Sequence, residues 1–391
     1  MRIKRHHSNL TFHKRQRRGG CLSFTLILGL LAGVMFVSLG WIGQWLNLRD
    51  SNDPETDLQL AAQAFNEGDL DLAVELTSQV WETNPDQISA LMLLVRSLVY
   101  RSYNDYNRTV DRQRALQITQ EAIRRYPSNL DVMSIHAFAL QANGEPIEAA
   151  EYARRVLEIE PRHLMANVSL ALAYGRVGGY DNAFRQSQIA VSLPSAGLDA
   201  QRVLAISLND IGRYSDAVQA VDLALEHNSR LLMLYFERGH YAMQIGDAGT
   251  ATASYFSVLA FDPDNIKARL RMCELSTVLR ESDRAVSYCN EVIEMAPTWA
   301  EGWYHMGREY FLQGDYENAQ SYLNRCSTLQ TLQNIPIEER NLNCWLMQGE
   351  AAEINRDCVA LNTLYAQFQQ MVAEADLPQT WTYPPEGPCN P

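Results

Sequence analysis

The sequence predicts an all-α solenoid of stacked helical hairpins, preceded by a single membrane-spanning helix. Three observations carry this expectation: an apolar stretch without charge between Arg18 and Arg49, small-residue and proline columns recurring every 34 residues, and apolar positions at helical spacing between them. A chain of 391 residues would ordinarily suggest two or three domains, but an array of small stacked units escapes that rule.

The N-terminal element comes first. Residues 1–20 carry seven basic side chains (Arg2, Lys4, Arg5, Lys14, Arg15, Arg17 and Arg18) and no acid. The apolar run Cys21–Leu46 then supplies 26 residues where roughly 20 are needed to cross the hydrocarbon core. Trp41 and Trp45 stand at its far end, where indoles favour the headgroup layer. The basic flank assigns residues 1–20 to a cytoplasmic tail and everything beyond the linker 47–54 to the extracytoplasmic side. A cleaved signal peptide is the competing reading. Its apolar region is normally ~7–15 residues and ends in a small-residue site, for which Ser38-Leu39-Gly40 is the best candidate here. Either way the body of the chain is exported. With the tail removed, that body holds 26 basic and 46 acidic side chains, a balance of −20 that would repel nucleic-acid phosphates.

Next come the columns. Pro127, Pro161, Pro263 and Pro297 fall in phase at multiples of 34 residues, with Ser195 and Ser229 in the intervening slots. Twelve residues before each stands an alanine (Ala115, Ala149, Ala183, Ala217, Ala251 and Ala285), and Ala319 continues the series. Pro85 and Ala73 begin it, offset from the next pair by 42 residues, which is 34 plus an insertion of 8. Glycines precede most of these alanines by five residues: Gly68, Gly144, Gly178, Gly212, Gly246 and Gly314. Physically, the glycine marks a tight turn after one helix and the alanine a close helix crossing. The proline ends the second helix. Apolar residues such as Val156, Leu157 and Ile159, or Val218, Val221 and Leu225, recur at helical spacing between these marks. Each unit is a hairpin too small to bury its own faces, so its neighbours must stack on it.

These residues resemble the tetratricopeptide repeat (TPR) proteins over roughly residues 55–375. The eighth unit carries Trp303, Met306-Gly307, Tyr310, Gly314-Asp315-Tyr316, Ala319 and Leu323, matching W-x2-L-G-x2-Y…A-x3-F. The resemblance implies a right-handed superhelix of about eight repeats over 55–330, with a ninth, capping hairpin at 331–376. Departures are local. A polar stretch, Tyr103-Asn104-Asp105-Tyr106-Asn107-Arg108, is inserted in the second repeat. Arg280 replaces the turn glycine in the seventh, and the phase breaks at Asn334-Ile335-Pro336 before Trp345 and Gly349 reopen a hairpin. Residues 377–391 form a proline-rich tail.

Seven cysteines are present, six of them in the exported part, where an oxidising environment invites disulfides. Cys273 and Cys289 face each other across one hairpin, Cys326 and Cys344 lie on adjacent helices, and Cys358 could hold the tail through Cys389. Spacing alone does not select among the connectivities available, and buried free thiols are the alternative. No phosphate-loop, dinucleotide, hydrolase-elbow or zincin string occurs, and no C-x-x-C or H-x3-H spacing points to a metal. The sequence therefore predicts no enzyme and no cofactor.

In TPR proteins the first helices of successive hairpins line a concave groove that takes a peptide or a partner helix. By resemblance, the partner-binding candidates are Phe138, Val168, Leu172, Arg202, Asn209, Phe236, His240, Met243, Leu270, Tyr304, Arg308 and Phe311. Some TPR proteins clamp a terminal carboxylate in this groove. Lys267 and Arg271 have the right spacing, but Glu237 stands where that clamp needs a neutral donor, so no clamp is expected. The expected function is a non-enzymatic scaffold on the outer face of a membrane, holding a protein or peptide. The alternative is a module that binds cell-wall or glycan material through Trp303, Tyr304, Trp345, Trp381 and Tyr383.

Overall fold

The computed structural model describes residues 53–381 and Cys389. Among them are eighteen α-helices, one 3-10 turn and no strand, paired into nine hairpins. Apart from the start of the first helix, they belong to one compact unit, Asp57–Pro391. The first four hairpins are α1 (Pro54–Asn66) with α2 (Leu70–Thr83), α3 (Ile88–Arg101) with α4 (Thr109–Arg125), α5 (Leu130–Ala142) with α6 (Pro146–Ile159), and α7 (Leu164–Arg176) with α8 (Tyr180–Val191). The next four are α9 (Leu198–Asp210) with α10 (Tyr214–His227), α11 (Leu232–Gln244) with α12 (Ala248–Phe261), α13 (Ile266–Val278) with α14 (Ser282–Met295), and α15 (Ala300–Gln313) with α16 (Tyr316–Leu332). After a 3-10 turn at Ile337–Glu339, α17 (Asn343–Ile354) and α18 (Cys358–Glu374) close the array.

The columns do what their chemistry requires. All six turn glycines have positive φ, between 75° and 86°. Backbone N–H groups reach back to the helix carbonyls there, as Gly68 does to Phe65 and Asp69 to Ala64. Arg280 adopts the same left-handed position at φ 59° without glycine's freedom, and Arg356 does so at 60° in the ninth hairpin. An aspartate after the turn caps the second helix: Asp69, Asp247, Asp315 and Asp357 accept from backbone N–H groups three residues on. Every alanine of the column is essentially unexposed. Nearby crossings are tight too, since a Cβ on Gly239 would come within 2.5 Å of the Tyr255 ring and one on Gly307 within 2.6 Å of Leu323. Pro85, Pro127, Pro161, Pro263 and Pro297 each stand just past the end of a second helix.

Two features depart from simple repetition. Turns within the other hairpins use two or three residues, as in Asn143–Glu145 or Ile211–Arg213, whereas Ser102–Arg108 spends seven between α3 and α4. The array also coils back on itself. Asn228 Nδ2, after α10, donates to the Phe65 carbonyl at the end of α1 at 2.7 Å, and Gly68 lies directly against Arg230.

At the C-terminal end Trp381 lies over Gly349 and edge-on to Tyr365 and Phe368, sealing the last hairpin. Cys273 is bonded to Cys289, Cys326 to Cys344, and Cys358 to Cys389. No helix among the described residues is long and apolar enough to cross a membrane. The tail 1–20, the apolar run Cys21–Leu46 and most of the proline-rich tail lie outside the described residues.

Candidate partner-binding groove

The inner face of the array is built by the first helices, and it is more charged than the core around it. On α3, Arg96 pairs with Asp199 of α9 at 2.7 Å, and the Tyr100 hydroxyl donates to the same carboxylate. Burial beside Asp199 pushes the Tyr100 hydroxyl well above its usual range, so it stays a donor. Arg202 of α9 donates to Glu237 Oε1 of α11 through two nitrogens at 2.9 and 2.7 Å, and its guanidinium lies over the rings of Tyr100 and Tyr103. The acid that argues against a carboxylate clamp is thus consumed by an internal pair.

Further along, Arg271 and Glu274 of α13 pair at 2.6 Å, and His305 Nε2 of α15 lies 3.0 Å from Glu274. Burial alone would raise the Glu274 carboxyl, but His305 and Arg271 outweigh it and hold the group at about 2. Lys267 sits over the Phe236 ring at 4.3 Å, and burial lowers its ammonium to about 8, with nearby Arg271 acting in the same direction.

The inserted segment enters this face. Lys267 Nζ donates to the Tyr103 carbonyl at 2.6 Å and Asn265 Nδ2 to the Asn104 carbonyl at 2.9 Å. Tyr106 stacks on Trp299, the residue before α15, with centroids 4.3 Å apart. Beside it opens a cavity of about 410 Å³, whose lining includes Tyr103, Arg112, Arg176, Arg202, Glu237 and Lys267.

The twelve candidates divide by burial. Phe138, Val168, Leu172, Arg202, Phe236 and Leu270 are buried. Phe138 is wholly enclosed, edge-on to Tyr100. Asn209, Met243, Tyr304, Arg308 and Phe311 are half-buried, and His240 is exposed. The accessible part is therefore the face carried by α11 and α15, where Phe311 sits edge-on to Tyr316. Sequence reasoning identified the insertion but not its destination. Its one available signal was a pair of tyrosines in a turn far longer than the hairpin needs. Of the aromatics proposed to stack on sugars, Trp345 and Trp381 are core residues of the last hairpin, Trp303 and Tyr304 are half-buried, and Tyr383 lies outside the described residues. Among the described residues no three His, Cys, Asp or Glu side chains gather as a metal site would require.

Residues 300–331 match the family model of the tetratricopeptide repeat. No curated protein sequence matches the chain. Among solved structures it is similar to the APC/C hetero-tetramer Cut9–Hcn1, with a TM-score of 0.59 and 16% identity over 82% of this chain and 61% of that one. It is also similar to yeast Tom70, with a TM-score of 0.50 and 13% identity over 92% of this chain and 93% of that one. The chain thus spans about three fifths of the length of the Cut9–Hcn1 chain it matches. At such identities the likeness is one of fold. The chain is a helical-repeat array with the tetratricopeptide-repeat fold, one unit of which, 300–331, matches that family's repeat in sequence.

Proposed function

We propose that the protein is a non-enzymatic interaction scaffold, displayed on the extracytoplasmic face of a membrane, that takes a protein or peptide segment on the inner face of its array. The observation that carries this reading is the open stretch of that face, where His240, Met243, Tyr304, Arg308 and Phe311 offer apolar and polar contacts side by side. Mixed surfaces of this kind, with aromatic residues and Arg, are what protein interfaces favour. The basic flank and apolar run of residues 1–46 support a single-pass anchor with a cytoplasmic N-terminus. Three bridged cysteine pairs fit the oxidising compartment that this topology supplies.

Crosslinking the full chain in its membrane, followed by mass spectrometry, tests the partner. Recovery of a protein whose crosslinks map to α11 and α15, and are lost with Tyr304→Ala and Phe311→Ala, is the expected result. Recovering no protein while the same face binds a small molecule or protein-free wall polysaccharide would overturn the reading. Topology is tested separately: alkaline phosphatase fused after residue 60 is expected to be active, and an inactive fusion would refute export.

A further inference from the structure

We propose that Tyr103–Tyr106 is an internal ligand: it fills a site on the inner face built to take a turn-forming segment bearing two aromatic residues three apart, and a partner of that chemistry binds by displacing it. The inference rests on the partner-binding reading above and names the ligand class and its control.

The insertion is surplus to the hairpin, since three residues suffice to turn the chain elsewhere. Ordering the extra residues costs conformational entropy, which contacts must offset. Those contacts have the form of peptide recognition. Side-chain donors on α13 and just before it read two successive main-chain carbonyls, of Tyr103 and Asn104. The two aromatic side chains take separate seats, Tyr103 beneath the Arg202 guanidinium and Tyr106 on the Trp299 ring. The two carbonyls are presented by turns that continue α3, with Tyr103 N–H donating to the Tyr100 carbonyl and Asn104 N–H to the Arg101 carbonyl, so an incoming segment must make the same turns.

The receptor side is held independently of its occupant. Asn265 is buried and caps α13 by accepting from Ala268 N. Arg202 is fixed by Glu237, and Lys267 rests on Phe236. The occupant fits less well. Tyr103, Asn104, Asp105 and Tyr106 are each only half-buried, and Asn104 Oδ1 is enclosed without a hydrogen-bond partner, which costs free energy. The cavity beside Tyr103 gives an incoming segment a point of entry. A preorganised site with an imperfect tethered occupant is the arrangement expected of a site that exchanges ligands.

The test uses the full chain in detergent and, as probe, a fluorescein-labelled peptide with blocked ends and the sequence of residues 101–109. The double substitution Tyr103→Ala and Tyr106→Ala frees the site. This variant is expected to bind the peptide about tenfold more tightly than wild type, with the gain lost when Trp299→Ala or Lys267→Ala is added. Equal binding by both proteins, no binding by a variant of native helicity, or equal binding of a scrambled peptide would overturn the proposal.

A second measurement needs no variant. Amides of residues 103–107 should exchange with solvent by local opening while α3 and α13 stay protected. Exchange only at the rate of those helices would make the segment a fixed strut and overturn the proposal. A crosslinked protein partner bound with 103–107 still protected would leave the scaffold reading standing and sink only this one.

Discussion

Gly68 and Gly144 occupy the same turn position in their hairpins, with φ of 78° and 86°, but only Gly68 faces a distant part of the chain. Alanine at either position must adopt left-handed backbone, at a cost of about 1–2 kcal/mol. At Gly144 nothing lies within 4 Å of the new methyl, so that cost is the whole effect. At Gly68 the methyl would stand 2.6 Å from Arg230 Cβ and 2.7 Å from the Arg230 carbonyl oxygen, on backbone that no rotamer change can clear. Overpacking of this kind adds about 1–3 kcal/mol. Gly68→Ala is therefore expected to cost about 3 kcal/mol against about 1 for Gly144→Ala. The excess should be concentrated where Asn228 reaches the Phe65 carbonyl. Urea unfolding followed by circular dichroism gives the totals, and hydrogen exchange at residues 228–232 gives the location. Equal costs for the two substitutions, or unchanged protection at 228–232 in Gly68→Ala, would refute the coiled-back contact as a stabilising element.

Three further expectations come from the interior. His136 is buried against Thr119 and Tyr152, and burial lowers its imidazole to about 4 from an ordinary 6.5. The unfolded chain therefore binds the extra proton first as pH falls. Stability is complete above pH 6.5, declines through the window from 6.5 to 4, and is lower by about 3 kcal/mol at its foot. His136→Gln should flatten that part of the pH profile, and parallel profiles for the two proteins would count against it. Glu237→Ala leaves the buried Arg202 guanidinium without its carboxylate and should cost about 3–5 kcal/mol, whereas Asp216→Ala, which breaks the surface pair with Arg213, should cost under about 1, both read by urea unfolding. Replacing Cys326 and Cys344 together by serine opens a loop spanning 18 residues and should cost about 3 kcal/mol, seen as a lower thermal midpoint. In the native protein those thiols should alkylate only after reduction.

The division between what sequence determines and what tertiary structure decides follows the range of the interactions. Turn glycines, crossing alanines and terminating prolines act within one hairpin or between neighbours, so the repeating columns marked the hairpins up to Leu332, while the ninth lies past a break in the phase. The bonded cysteine pairs are separated by 16, 18 and 31 residues, distances that one hairpin, neighbouring helices or the folded-back tail can bridge, which is why spacing brought them to notice. The groove was a different matter. Residues read as groove-lining from their place in the repeat, such as Phe138, Val168 and Leu172, are buried, in one apolar cluster with residues of repeats as far apart as Phe65 and Tyr241. Asn228 meets Phe65 across 163 residues and Lys267 meets Tyr103 across 164. Such contacts depend on small rotations summed over several repeats, and no single repeat encodes the sum. The repeat columns were therefore legible in sequence, but which first-helix residues are buried and which stay open was decided by contacts across the array, among them the inserted segment against Asn265, Lys267 and Trp299.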